Sequence, residues 1–168
     1  MLKNILLPLD GSKISECAID YAKDIAVHRE GSQITIMTVF EEPALETYYL
    51  TSETQAKAKA KEWENAKKQR TEQANQYLVR VNDIFAKAGV AVKTVAIEAK
   101  THQGVAEIIL DFAEKNKMQL IIMSTHGRSG ISRWAMGSVA DRVVNHSKTP
   151  VLIITPAGCG AKWQDDKN

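Results

Sequence analysis

Residues 120–156 read LIIMSTHGRSGISRWAMGSVADRVVNHSKTPVLIITP, and this stretch decides the fold. Residues 120–123 form a continuous apolar run, as a central strand buried on both faces requires. Ser124, Thr125, His126 and Gly127 follow as polar, flexible loop. Val139, Val143 and Val144 give a helix its inner face, and Pro150 opens a second apolar run over residues 151–154. Strand, loop, helix and strand make half of a parallel α/β domain.

Upstream, the same order repeats. Ile5-Leu6-Leu7 is a short apolar strand, Pro8 ends its hydrogen-bonding pattern, and Asp10-Gly11-Ser12 is turn chemistry. Ser12 caps a helix with apolar positions Ala18, Tyr21, Ala22 and Ile25, which Gly31-Ser32 breaks. Residues 34–39 make a second strand, with Thr35 and Thr38 suited to it. Residues 41–52 have no clean period and read as loop with short helix. A long helical pattern then runs to about Gly89, its second half carrying the stripe Ala74, Tyr77, Leu78, Val81, Phe85 and Ala88. Residues 90–97 read as a third strand. Thr101 is the expected cap of a helix marked by Val105, Ile108, Ile109 and Phe112. The order βαβαβαβαβ predicts one doubly wound parallel sheet with helices on both faces. Ligands of such sheets bind beyond the carboxyl ends of the strands, where the winding reverses. Residues 1–156 are thus one domain, and the polar tail 157–168, with Trp163 its one large apolar group, is expected to fray as a flexible end.

A chain of 168 residues suits one full-sized core, and 44% hydrophobic with 25% charged residues excludes a disordered protein. A net charge of +2 does not by itself imply nucleic acid. Lys57, Lys59, Lys61, Lys67, Lys68 and Arg70 form the most basic stretch. Glu62 and Glu64 interleave with them and no aromatic platform accompanies them, so a solvated helix face is the reading rather than a nucleic-acid patch. The apolar run before Pro8 is too short for a signal-peptide core, and no segment reaches membrane-span length. Cys17 and Cys159 lie far apart without a CxxC pair, which reads as reduced thiols. A cytoplasmic protein with neither nucleic-acid nor membrane partners is the expectation. Asn145-His146-Ser147 matches a glycosylation sequon by chance, at a predicted helix end.

Two strand ends carry the chemistry: Pro8 to Ser12 after the first strand, and Ser124 to Gly127 after the fourth. As neighbours at the switch point, they line one crevice. Gly127-Arg128-Ser129-Gly130 and Gly137-Ser138 supply unhindered backbone N–H groups. Gly137-Ser138 also opens a helix whose first turn and dipole favour a phosphate, with the Ser138 hydroxyl as a further donor. The pattern is neither a Walker A loop nor a GxGxxG fingerprint. Glycines that serve only the strand-to-helix turn are the competing reading. Asp10 either caps its turn or meets the ligand, as a hydrogen-bonding group or a magnesium ligand.

These motifs resemble the universal stress protein family, in its ATP-binding subgroup. That family carries G-x2-G-x9-G-[ST] after its fourth strand and an Asp-containing turn after its first. Here the pattern falls on Ser124-x2-Gly127-x9-Gly137-Ser138, with serine in place of the first glycine. Lys3-Asn4-Ile5-Leu6-Leu7-Pro8, Thr125 to Gly130 and Thr149-Pro150-Val151-Leu152-Ile153-Ile154 are also similar to it. The resemblance covers essentially the whole chain. It implies a five-stranded parallel sheet of order 3-2-1-4-5 and ATP, with magnesium, in the crevice. Pro8, Asp10 and Val39 would lie near adenine and ribose, with Met123, Ser124, Gly127, Arg128, Gly137, Ser138 and Val139 around ribose and phosphates. It also implies a homodimer through the edge strand Val151–Ile154.

His126 reads as a turn-stabilising group, since no nucleophile or carboxylate lies at a telling spacing. His28, His102 and His146 show no metal-ligand spacing. Arg128 is the better phosphate partner than Arg133, and Trp134 reads as a hydrophobic anchor. No catalytic residue is expected: the loop lacks a lysine, and no carboxylate pair suits two metals. The expected function is a nucleotide-dependent regulatory or stress-response dimer. The alternatives are a slow ATPase and an interaction module without nucleotide.

Overall fold

A computed structural model describes residues 2–29, 31–43, 53–100, 103–125, 136–155 and 157–159. In chain order the elements are β1 (Asn4–Pro8), α1 (Lys13–Val27), β2 (Gln33–Glu41), α2 (Glu53–Lys87), β3 (Val92–Ala99), α3 (Val105–Lys115), β4 (Leu120–Ser124), α4 (Ser138–His146) and β5 (Val151–Ile154). The five strands form one sheet in the order β3-β2-β1-β4-β5, and every pairing is parallel. The predicted class and strand order are those observed.

Side chains alternate across the sheet and divide the core in two. Ile5, Leu7, Ile34, Ile36, Leu120 and Ile122 meet α1 and α2 through Ala18, Ala22, Leu78, Val81 and Phe85. Leu6, Met37, Ile121 and Met123 meet α3 and α4 through Ile108, Ile109, Ala140 and Val143. The expected stripe of α2 is thus a core face, with Val81 and Phe85 fully buried. Two stripe residues of other helices point outward: Tyr21 and Val144 are each 40% exposed.

The register explains where the sheet opens. β1 pairs with β2 from Asn4↔Gln33 to Pro8↔Met37. With β4 it pairs at Ile5↔Leu120 and Leu6↔Ile121, and the two strands part beyond those positions. Pro8 is the last residue of β1, as expected, yet the bonding to β2 runs one amide beyond it. The next amide, Leu9 N–H, donates to the Met37 carbonyl at 2.8 Å. Amides alternate sides along a strand, so the donor Pro8 lacks would have pointed toward the opening beside β4, where no ladder needs it.

Three local expectations meet a different outcome or none. Gly104 occupies the N-cap position of α3, and among the described residues no side chain caps that helix; Thr101 lies outside the described residues. Cys17 and Cys159 are disulfide-bonded, with Cα atoms 5.1 Å apart, rather than separate thiols. The pairing escaped sequence reasoning because it joins residues 142 positions apart, which only the tertiary fold brings together. The tail begins with a turn at 157–159 that packs on α1, where Tyr21 Oη donates to the Gly158 carbonyl at 2.9 Å.

Candidate functional site

Beyond the point where β1 and β4 part lies a cleft of about 820 Å³. That volume falls within the range of small-molecule sites. Pro8, Asp10, Val39, Met123, Ser124, Gly137, Ser138 and Val139 all line it. Gly127 and Arg128, with His126, Arg133 and Trp134, lie outside the described residues.

The β1 side is a tight turn locked by side chains. Gly11 takes φ +83°, a conformation that favours glycine. Asp10 Oδ1 accepts from the Ser12 amide at 2.9 Å and from Ser12 Oγ at 2.6 Å. Ser12 Oγ in turn accepts from the Ser15 amide at 3.1 Å, which is the expected N-cap of α1. The capping reading of Asp10 is therefore realised. The same bonds hold its carboxylate at the cleft wall, and an ionised carboxylate has acceptor capacity beyond two bonds.

On the β4 side the loop is short-circuited at its base. Thr125 N–H donates to the Ile154 carbonyl at 3.0 Å, and the Thr125 carbonyl accepts from Gly137 N–H at 2.8 Å. These bonds set the start of α4 beside the end of β4. Gly137 is the N-cap of α4, and among the described residues no side chain caps the helix. The first-turn amides of a nine-residue helix thus present positive partial charge to the cleft. Ser124 ends β4 opposite Ile154 and is buried. Among described non-glycine residues only Lys117 has positive φ, so serine occupies the first motif position in ordinary strand backbone. Val39, Val105, Ile109 and Met123 supply apolar surface at the same cleft.

The fourth wall was not foreseen. Arg70, Gln73, Ala74 and Tyr77 of α2 line the cleft. The stripe spacing put Ala74 and Tyr77 on one face, yet nothing in the sequence shows how far past the sheet that face reaches. Arg70 Nη1 donates to the Glu41 carbonyl at 2.7 Å, holding α2 against the end of β2. The Tyr77 hydroxyl is buried and, among the described residues, no partner meets it in good hydrogen-bond geometry. Burial raises its pKa above the usual tyrosine value, the Glu16 carboxylate adds to the rise, Arg80 opposes it and Asp10 adds a smaller push.

Part of the basic stretch is structural. Lys67 pairs with Glu98 at 3.0 Å and Glu42 at 3.6 Å, and lies 5.1 Å from the centre of the Trp63 ring. Its pKa is raised, chiefly by the bond to Glu98. Trp63 Nε1 donates to the Pro43 carbonyl at 2.8 Å. Among the described residues no three His, Cys, Asp or Glu side chains form a metal-binding group, and no helix is long and apolar enough to cross a membrane.

Comparison with known proteins agrees with this architecture. Universal stress protein MJ0531 of Methanocaldococcus jannaschii is 31% identical over 154 residues, spanning 92% of this chain and 82% of its own. The solved structure of MJ0577 from the same organism superposes with a TM-score of 0.73 at 24% identity, over 92% of this chain and 96% of that one. A universal stress protein in complex with cAMP has a TM-score of 0.62 at 22% identity, over 92% and 97% of the two chains. Two more distant structures of the same fold, from Archaeoglobus fulgidus and Arabidopsis thaliana, carry dAMP and AMP. At these identities the structures establish the fold. The universal stress protein family model matches residues 1–155, and the chain belongs to that family.

Proposed function

We propose that this protein binds ATP, accompanied by magnesium, in the cleft between β1 and β4, and that occupancy biases a regulatory homodimer. One observation carries the reading. The described residues among those the family motif singles out, from both ends of the chain, line a single cleft with an apolar side and a helix start that no described side chain caps. A base suits the surface of Val39, Val105, Ile109 and Met123. Phosphates suit the first-turn amides of α4 and the Ser138 hydroxyl. The Asp10 carboxylate suits a ribose hydroxyl or the accompanying cation. Adenine nucleotides in three solved proteins of this fold support the ligand class. Gly127 and Arg128 belong to the same proposed site by motif position.

β5 supports the dimer. It is an edge strand with apolar residues Val151, Leu152 and Ile153 only partly buried, which a second copy would cover. A ligand shifts such an assembly only by the difference in its affinity for the two states.

Isothermal titration with magnesium and ATP tests the site. The wild type gives saturable heat and a raised melting temperature, and Gly137→Val loses affinity by at least about 100-fold, because the branched side chain takes phosphate space at the N-cap. No heat and no thermal shift at millimolar ATP would overturn the reading in favour of an interaction module. Steady phosphate release above the Gly137→Val background would make the protein a slow ATPase.

A further inference from the structure

The two cysteines lie outside the nucleotide reading, and their placement is specific. Cys17 sits in the second turn of α1, and Cys159 ends the turn that follows β5. Both are buried, at 3% and 8% exposure, within the core cluster between the sheet and α1. The Cα separation of 5.1 Å lies in the range a disulfide needs. Around the pair, Tyr21 Oη holds the Gly158 carbonyl, and Gly158 N–H donates to the Thr155 carbonyl at 2.9 Å. Between β5 and Cys159 there are only four residues, so the bond pins a short terminal segment and strains no long element.

We propose that Cys17 and Cys159 form a redox-modification site that reacts with low-molecular-weight disulfides, and that the bond latches the segment after β5 onto α1. Cys159 reacts first, since it is the more exposed of the two and its turn is the smaller unit to lift. Its thiolate attacks one sulfur of oxidised glutathione, giving a mixed disulfide and one glutathione thiolate. The Cys17 thiolate then attacks the Cys159 sulfur and expels the second glutathione. Two protein thiols become one disulfide, one glutathione disulfide becomes two thiols, and the protons pass to the released glutathione through solvent. Reduced glutathione runs the same steps backward. Oxidised, the turn stays on α1 beside Tyr21; reduced, the described residues hold it through that hydrogen bond and its apolar contacts, without the covalent tie.

Full-length protein equilibrated across glutathione buffers from oxidising to reducing, then quenched with iodoacetamide and mapped by mass spectrometry, gives the test. Cys17 and Cys159 should appear as one cross-linked peptide pair at the oxidising end and as two alkylated peptides at the reducing end. The oxidised protein should melt on the order of 10 °C above the reduced one, as a cross-link over so long a loop predicts. Cys159→Ser should melt like reduced wild type in both buffers, and hydrogen exchange at residues 157–159 should be faster in the reduced protein. Free thiols throughout the series would overturn the site. A bond that survives the most reducing buffer would make it a permanent staple, overturning the reversible latch. Equal melting temperatures and exchange rates in the two forms would overturn the latching role.

Discussion

Tyr77 carries a buried hydroxyl that no described residue meets in good hydrogen-bond geometry. Such a group costs about 1–3 kcal/mol relative to a satisfied one. Tyr77→Phe should therefore leave thermal stability at about pH 8 unchanged or raise it by ~1 kcal/mol. The pH dependence follows from the raised pKa. Unfolded, the phenol ionises near its ordinary value of about 10, while the folded chain keeps it protonated to higher pH. Its contribution to stability is whole below that value and is lost as pH rises above it, because the unfolded state then binds fewer protons. Melting curves between about pH 8 and 11 should show a steeper alkaline decline in wild type than in the phenylalanine variant. Parallel declines would place the titrating group elsewhere. Ser124 makes a second point at this scale: its side chain is compatible with the backbone it occupies, so restoring the family glycine (Ser124→Gly) should change ATP affinity by less than about tenfold in a titration.

Two elements had readings that only packing could settle. By composition the first half of α2 is a solvated basic helix. Trp63 nevertheless bonds the connection at Pro43, Lys67 bridges Glu42 and Glu98, and Arg70 grips the end of β2. These contacts position the α2 wall of the cleft. Trp63→Ala should speed hydrogen exchange across the first turns of α2 while leaving the exchange of Val81 and Phe85 nearly unchanged. Uniform acceleration along the helix would show that Trp63 supports the whole core instead. On β5 and the residue before it, the Ile154 and Pro150 carbonyls face the β4 side, accepting from the Thr125 and Ile121 amides. By alternation Ile153 turns its N–H to the open edge. Ile153→Pro removes that donor from a position where edge strands tolerate proline. Sedimentation should find wild-type dimers and variant monomers with the same far-UV spectrum; a monomeric wild type at tens of micromolar would end the dimer proposal.

For the whole molecule, legibility followed the range of the interactions. Strand and helix order came from short periodic signals such as Ile5-Leu6-Leu7 and the Ala74–Phe85 stripe, and the Ser12 cap and Gly137 helix start were local too. The strand order 3-2-1-4-5 was read from resemblance, and the register that parts β1 from β4 after Leu6 had no sequence signal. The α2 wall and the Cys17–Cys159 bond stayed hidden because each joins segments that no local pattern connects.

The disulfide also gives the molecule a covalent topology. Everything from Cys17 to Cys159 becomes one closed ring, and β1 with its Asp10 turn lies outside it. Yet β1 is the middle strand, flanked on both sides by strands of that ring, with Ile5, Leu6 and Leu7 fully buried. In the oxidised protein the N-terminal strand is therefore a plug in a closed hoop, and one wall of the proposed nucleotide site arrives on the plug. A cut between Asp10 and Ser12 would separate plug from hoop without breaking the ring, making the two pieces a natural pair for reconstitution from a short peptide and a cyclised remainder.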